Sequence, residues 1–234
     1  MQIASPDWDR LIIEGAEALD IKLTPKAIRG FGRHAQELLI WNRRMNLTRI
    51  VDPMDLAVRH MVDSLALVPH LPEGRIVADI GSGGGFPGIP IKLSRPDLHL
   101  TLIESIGKKV SFLKHTVRIL GLEGIHIVQA RAESAVTDQD LKGRFDVVIF
   151  RALASLWECF VLSIPFLRQD GMMLAMKAAK AGDEIRHLED LMRKSDSGPL
   201  RDMKKKARIS LYPYQLPKME GERAVVKITL EEGI

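Results

Sequence analysis

One cysteine in 234 residues, Cys159, leaves nothing for an intramolecular disulfide, a Cys-x-x-Cys zinc site or a dithiol redox pair. A reducing, cytoplasmic setting without a structural metal is expected. Long hydrophobic runs are missing as well. The longest apolar stretch, residues 160–167, is interrupted by Ser163 and Pro165 and falls far short of the roughly 20 residues a membrane-spanning helix needs, so no membrane partner is expected. The opening MQIASPDWDR has early acids and no apolar run behind a basic stretch, which argues against a secretory leader. Neither sign of charge dominates: 34 Lys and Arg against 30 Asp and Glu leave +4, and 46% hydrophobic residues exclude whole-chain disorder. The chain has no low-complexity linker and no internal repeat, and at about 150 residues per domain it is long enough for one large or two small domains.

What is present divides into two textures. Ser5-Pro6, Thr24-Pro25 and Asp52-Pro53 each offer an N-cap residue followed by proline at the first helical position, and apolar residues at helical spacing follow each of them. Three helices are predicted, the third running to about Val68, with Asp55 placed to complete a capping box. From Arg75 onward short β-branched runs alternate with helix-length segments: 75–80, 98–103, 125–129, 145–150 and 171–176. That alternation means βαβ units and a mainly parallel sheet, while 209–214 and 224–230 suit a closing antiparallel hairpin. The expected organisation is a helical N-terminal segment, 1–72, packed on an α/β domain, 73–234.

The most informative string is Asp79-Ile80-Gly81-Ser82-Gly83-Gly84-Gly85-Phe86-Pro87-Gly88. A buried strand runs into a glycine turn, with Pro87 where a helix would start, so backbone N–H groups are expected to approach a ligand there. A phosphate-binding loop is excluded because no G-x-x-x-x-G-K-[ST] string exists; Gly107-Lys108-Lys109 lacks both the leading glycine and the hydroxyl. A dinucleotide fingerprint fails because its third glycine position is Phe86. An acid two residues before G-x-G-x-G, with Glu104 ending the next strand and Ala132-Glu133 following the third, instead looks like an S-adenosylmethionine-dependent methyltransferase of Rossmann-like α/β fold.

The strings Asn46-Leu47-Thr48, Arg59-His60-Met61-Val62-Asp63-Ser64-Leu65, Phe86-Pro87-Gly88-Ile89-Pro90, Glu104-Ser105, Arg131-Ala132-Glu133 and Arg151-Ala152 carry a closer resemblance. The chain resembles the glucose-inhibited division protein B family of 16S ribosomal RNA guanine-N7 methyltransferases, from Trp41 to the end. The resemblance implies cofactor contacts at Gly81, Phe86, Ala132, Glu133 and Arg151, with Asp79 and Glu104 near the methionine and ribose ends and Gly83, Gly85 and Ser105 beside them. It also implies a target, guanine 527 of the small-subunit rRNA. Glu104 stands where the family commonly has aspartate, and Lys177-Ala178 where it usually has Lys-Gly.

Guanine N7 carries a lone pair and no proton, so methyl transfer to it needs alignment rather than a general base. His60, Asp63 and Ser64 fall at i, i+3 and i+4, on one face of an α-helix, either as a polar docking seam or as site residues, with Asp63 able to favour a growing positive charge. Arg151, after the fourth strand, is placed to hold a cofactor carboxylate or an RNA phosphate, and Lys177 ends the fifth. Basic residues collect in 26–59 and again in 201–208, which suits the 16S rRNA of a 30S subunit as partner. A monomer is expected. Two alternatives stand beside this: a non-catalytic RNA- or ribosome-binding protein on the same fold, which predicts no cofactor affinity, and a methyltransferase with another acceptor.

Overall fold

The computed structural model describes residues 1–152, 154–178, 181–194 and 207–230. The second basic run, 201–208, therefore lies outside the described residues except for Ala207 and Arg208.

The three proline-led starts form helices for the reason the sequence supplies. Ser5 Oγ accepts from Trp8 N–H at the head of α1 (Pro6–Glu17), Thr24 Oγ1 from Ala27 N–H at α2 (Pro25–Met45), and Asp52 Oδ1 from Met54 and Asp55 N–H at α3 (Pro53–Asp55). Asp55 does not close a capping box; its carboxylate pairs with Arg59 instead. A reciprocal box forms later, where Ser155 and Glu158 cap α8 (Leu156–Ser163).

The third helix differs from the expected α-helix to Val68. After α3 the chain winds as a π-helix over Leu56–Val62, returns to α4 (Asp63–Leu65), and ends in a 3₁₀ turn at Val68–His70. At the return, Asp63 N–H reaches Val58 O, five residues back, and the carbonyl of Arg59 is left to another donor.

The seven strands are β1 (Ile76–Ile80), β2 (His99–Glu104), β3 (Ile125–Gln129), β4 (Phe145–Arg151), β5 (Leu167–Ala178), β6 (Ala207–Tyr214) and β7 (Arg223–Leu230), ordered 3-2-1-4-5-7-6. The first five pair in parallel, and β7 is antiparallel to both neighbours. Between them run α5 (Gly88–Ser94), α6 (Gly107–Ile119), α7 (Ala132–Ala135), α8 and α9 (Ala181–Lys194).

Strand periodicity divides the core. Val77, Leu100, Leu102, Val147, Ile149 and Leu174 face one cluster that includes Trp8, Phe31, Leu38, Leu56 and Met61 of the front helices. Ala78, Ile80, Ile103, Val148, Phe150 and Met173 face the other, with Phe160 and Leu188. The helical front segment thus shares one continuous core with a face of the sheet. Strand order reverses between β1 and β4, the kind of switch point beside which doubly wound sheets bind ligands beyond the carboxyl ends of their strands.

Candidate active site

Beyond β1, β2 and β3 lies an open cavity of about 380 Å³, lined by residues that include Gly81, Glu104, Ser105, Lys109, Ala132 and Glu133. Five residues singled out in the sequence, from three successive strand ends, meet there. The Glu104 carboxylate accepts from Gly83 N–H through Oε2 and from Ile106 N–H through Oε1, both at 2.9 Å. Each oxygen keeps a lone pair for a further donor, so the carboxylate can take a pair of vicinal hydroxyls.

The glycine turn works differently from expectation. Its amides are turned inward: Gly81 and Ser82 donate to Ile103 O, Gly85 and Phe86 to Ser82 O, Gly83 to Glu104 and Gly88 to Asp79. Glycine is needed here for packing instead. A Cβ on Gly88 would lie 2.7 Å from Asp79 Oδ2 and 2.6 Å from Leu102 Cδ2, and one on Gly85, at φ +85°, would lie 2.4 Å from Ile89 Cδ1. Asp79 sits behind the turn with 0% exposure; Oδ2 accepts from Gly88 N–H and Oδ1 has no partner. Burial raises its pKa to about 7 against the lowering effects of the Gly88 hydrogen bond, the Ser82 hydroxyl and the Arg151 charge.

A second cluster forms around Phe86. The Phe86 ring is sandwiched between His34, 4.7 Å away, and His60, 4.3 Å away, with the Arg151 guanidinium 5.7 Å from its centroid. Burial, reinforced by Arg151, pushes the His60 pKa down to about 3, and burial pushes His34 to about 4, so both imidazoles are neutral at pH 7. His60 Nδ1 faces Arg151 at 3.2 Å and therefore accepts, leaving Nε2–H to donate to Thr48 Oγ1 at 2.9 Å.

Arg151 is the last residue of β4 rather than a residue after it. Its guanidinium donates to the Arg59 carbonyl freed by the π-helix and pairs with Asp63 at 3.2 Å. Asp63, 1% exposed, is saturated: Tyr214 Oη donates to it at 2.7 Å and Arg223 bridges both its oxygens at 3.2 Å. Its carboxylate is directed at protein donors, and Ser64 Oγ turns back to His60 O. Sequence reasoning did not single out Tyr214, Arg223, His34 or Thr48 as site residues. Lys177 joins neither cluster: its ammonium is spent on Ala154 O at 2.6 Å and Glu184 at 2.8 Å.

A doubly wound sheet closed by one antiparallel strand, with strand-end acids around a glycine turn at its switch point, defines a methyltransferase of the Rossmann-like class. The same fold is seen in an O-methyltransferase from Bacillus cereus in complex with SAH, at TM-score 0.57 and 13% identity over 85% of this chain and 90% of that one. Residues 27–209 match the family described as rRNA small subunit methyltransferase G, and the chain belongs to that family. It is 41% identical over 172 residues to ribosomal RNA small subunit methyltransferase G of Roseiflexus castenholzii, covering 73% of each chain. It is 37% identical over 188 residues to the Syntrophus aciditrophicus protein of the same name, covering 79% of this chain and 78% of that one.

Proposed function

We propose that the protein transfers the methyl group of S-adenosylmethionine to N7 of a guanine in small-subunit ribosomal RNA, at position 527 of the 16S molecule. It acts as a cytoplasmic monomer on the 30S subunit. The observation that carries this reading is the cavity at the ends of β1, β2 and β3, joined to membership of a family named for small-subunit rRNA methylation.

Three features of the chain fit that cofactor. Glu104, with free lone pairs on both oxygens, suits the ribose diol, and the buried, unpaired Oδ1 of Asp79 suits an ammonium group. With the amides of Gly81, Ser82, Gly83, Gly85 and Phe86 donated internally, the glycine turn is a poor phosphate cradle, which suits a nucleoside that has no phosphate. Ala132 and Glu133 line the cavity where an adenine would lie.

S-adenosylmethionine supplies an electrophilic methyl group on a sulfonium centre. The protein supplies alignment. Guanine N7 has no proton to lose, and the second cluster offers no exposed base: His60 is neutral with both nitrogens engaged, Asp63 is saturated, and the unpartnered Nδ1 of the neutral His34 is fully buried. Arg151, fixed by Asp63 and the Arg59 carbonyl beside Phe86, positions the RNA at the carboxyl end of β4. Alignment of this kind supplies about 7 kcal/mol in good cases. The test is transfer of labelled methyl to 30S subunits from cells lacking the enzyme, with the modified nucleoside located by mass spectrometry. Appearance of 7-methylguanosine at position 527 supports the reading; cofactor binding without transfer would redirect it to another acceptor.

A further inference from the structure

The C-terminal turn of α2 carries a groove that neither cluster of the site uses. It encloses about 350 Å³ between Ile40, Trp41, Arg43, Arg44 and Met45. Ile40 is 55% exposed, an uncommon position for a large aliphatic side chain beside two arginines. Trp41 forms the inner wall, its ring set edge-on to Phe112 at 5.7 Å and tilted against His115 at 5.0 Å. The acid on this stretch of helix, Glu37, is already taken by Arg33 at 3.1 Å and His115 at 2.9 Å. Among the described residues no carboxylate pairs with Arg43 or Arg44, so the groove joins an apolar floor to two uncompensated cations.

Geometry links this groove to the site. Asn42, on the same turn, clamps the following loop by two bonds to Thr48, from Nδ2 to Thr48 O at 3.0 Å and from Thr48 N–H to Oδ1 at 2.9 Å. Thr48 Oγ1 in turn accepts from His60, and His60 meets Arg151. Three side chains therefore span the distance from groove to Arg151, and the exposed Arg49 lies on the clamped loop.

We propose that this groove is a second nucleotide subsite, which takes an unpaired base of the substrate RNA against Ile40, Trp41 and Met45 while Arg43 and Arg44 hold the flanking phosphates. The inference rests on the rRNA reading above. An apolar, aromatic-walled slot flanked by cations matches single-stranded nucleic acid, in which every base has a π-face and every step a phosphate. A duplex buries its bases and offers only the phosphates. A ribosomal protein is the competing occupant, and the experiment separates the two.

Binding to and methylation of 30S subunits would be compared for wild type, Arg43→Gln with Arg44→Gln, and Ile40→Glu. The last places an anion at an exposed position, where folding is undisturbed. A benzophenone amino acid in place of Ile40 would report what lies against the groove. The expected results are subunit affinity lower by about ten-fold in either variant. The log–log salt slope should fall by about 0.7 for each arginine lost. S-adenosylmethionine affinity should stay unchanged, and the cross-link should form to an unpaired rRNA nucleotide. Wild-type affinity and slope in both variants, or a cross-link to a ribosomal protein, would overturn the subsite while leaving the methyltransferase reading intact. A wild-type protein that neither binds nor methylates 30S subunits would overturn both.

Discussion

Asp79 is a carboxylate kept from water, with one oxygen committed to Gly88 N–H and the other unpaired. Without a ligand it favours the protonated form, its pKa raised to about 7 by burial. The sign for stability follows: its contribution is complete below the ordinary carboxylate value of 3.8 and is lost as pH rises through 7. A cation beside it reverses the preference. S-adenosylmethionine should therefore bind more tightly as pH rises from 5.5 to 7.5, releasing up to one proton near pH 6.5. Calorimetry in buffers of different ionisation enthalpy measures that release, and Asp79→Asn should abolish it and weaken binding at least ten-fold. Asp63 has the opposite character, a carboxylate satisfied by three donors. Asp63→Asn removes the charge opposite Arg151 and Arg223 and should cost about 3–5 kcal/mol, read as a lower urea midpoint. Tyr214→Phe removes one hydrogen bond for about 1 kcal/mol and should lower kcat more than the affinity for S-adenosylmethionine.

Two elements do what their residues alone do not suggest. The glycine turn is a packing device: Gly88 lets the start of α5 close on Asp79 and Leu102. Gly88→Ala should destabilise the fold by about 1–3 kcal/mol and weaken the cofactor, because the added Cβ must push Asp79 or β2 aside; thermal melts with and without S-adenosylmethionine separate the two losses. The π-helix is the other. By sending Asp63 N–H to Val58 O, it releases the Arg59 carbonyl to hold Arg151. The helix itself was legible from Asp52-Pro53 and its apolar period, but the wider winding was not. Residues 56–62 carry the same apolar pattern in either form, and the carbonyl that the π winding frees is taken by Arg151, 92 residues away in sequence. The strands were read close to where they stand, since alternation of β-branched runs with helix lengths is a local property. Arg151 fell just outside its expected strand because nothing local marks the end of a ladder.

At the scale of the molecule, the front helices, the sheet and the C-terminal hairpin converge on the buried Asp63 carboxylate. Trp8 and Phe31 of the front segment share a core with Val77 and Val147 of the sheet, and Tyr214 and Arg223 of the hairpin reach Asp63 across 151 and 160 residues of sequence. A net charge of only +4 means that RNA affinity rests on where cations lie rather than on how many there are. Association with 30S subunits should weaken steeply with added salt, with a log–log slope of about −0.7 to −0.9 per phosphate contacted, measurable by filter binding between 50 and 200 mM. The chain's own letters determined the helix starts, the βαβ order, the glycine turn and the acids at three strand ends, because caps, turns and alternation act over a few residues. Only the tertiary structure decided that the turn spends its amides internally, that Lys177 serves Glu184 and that Asp63 is a junction for Arg151, Arg223 and Tyr214. Those outcomes depend on partners that chain topology, not spacing, brings within hydrogen-bond reach.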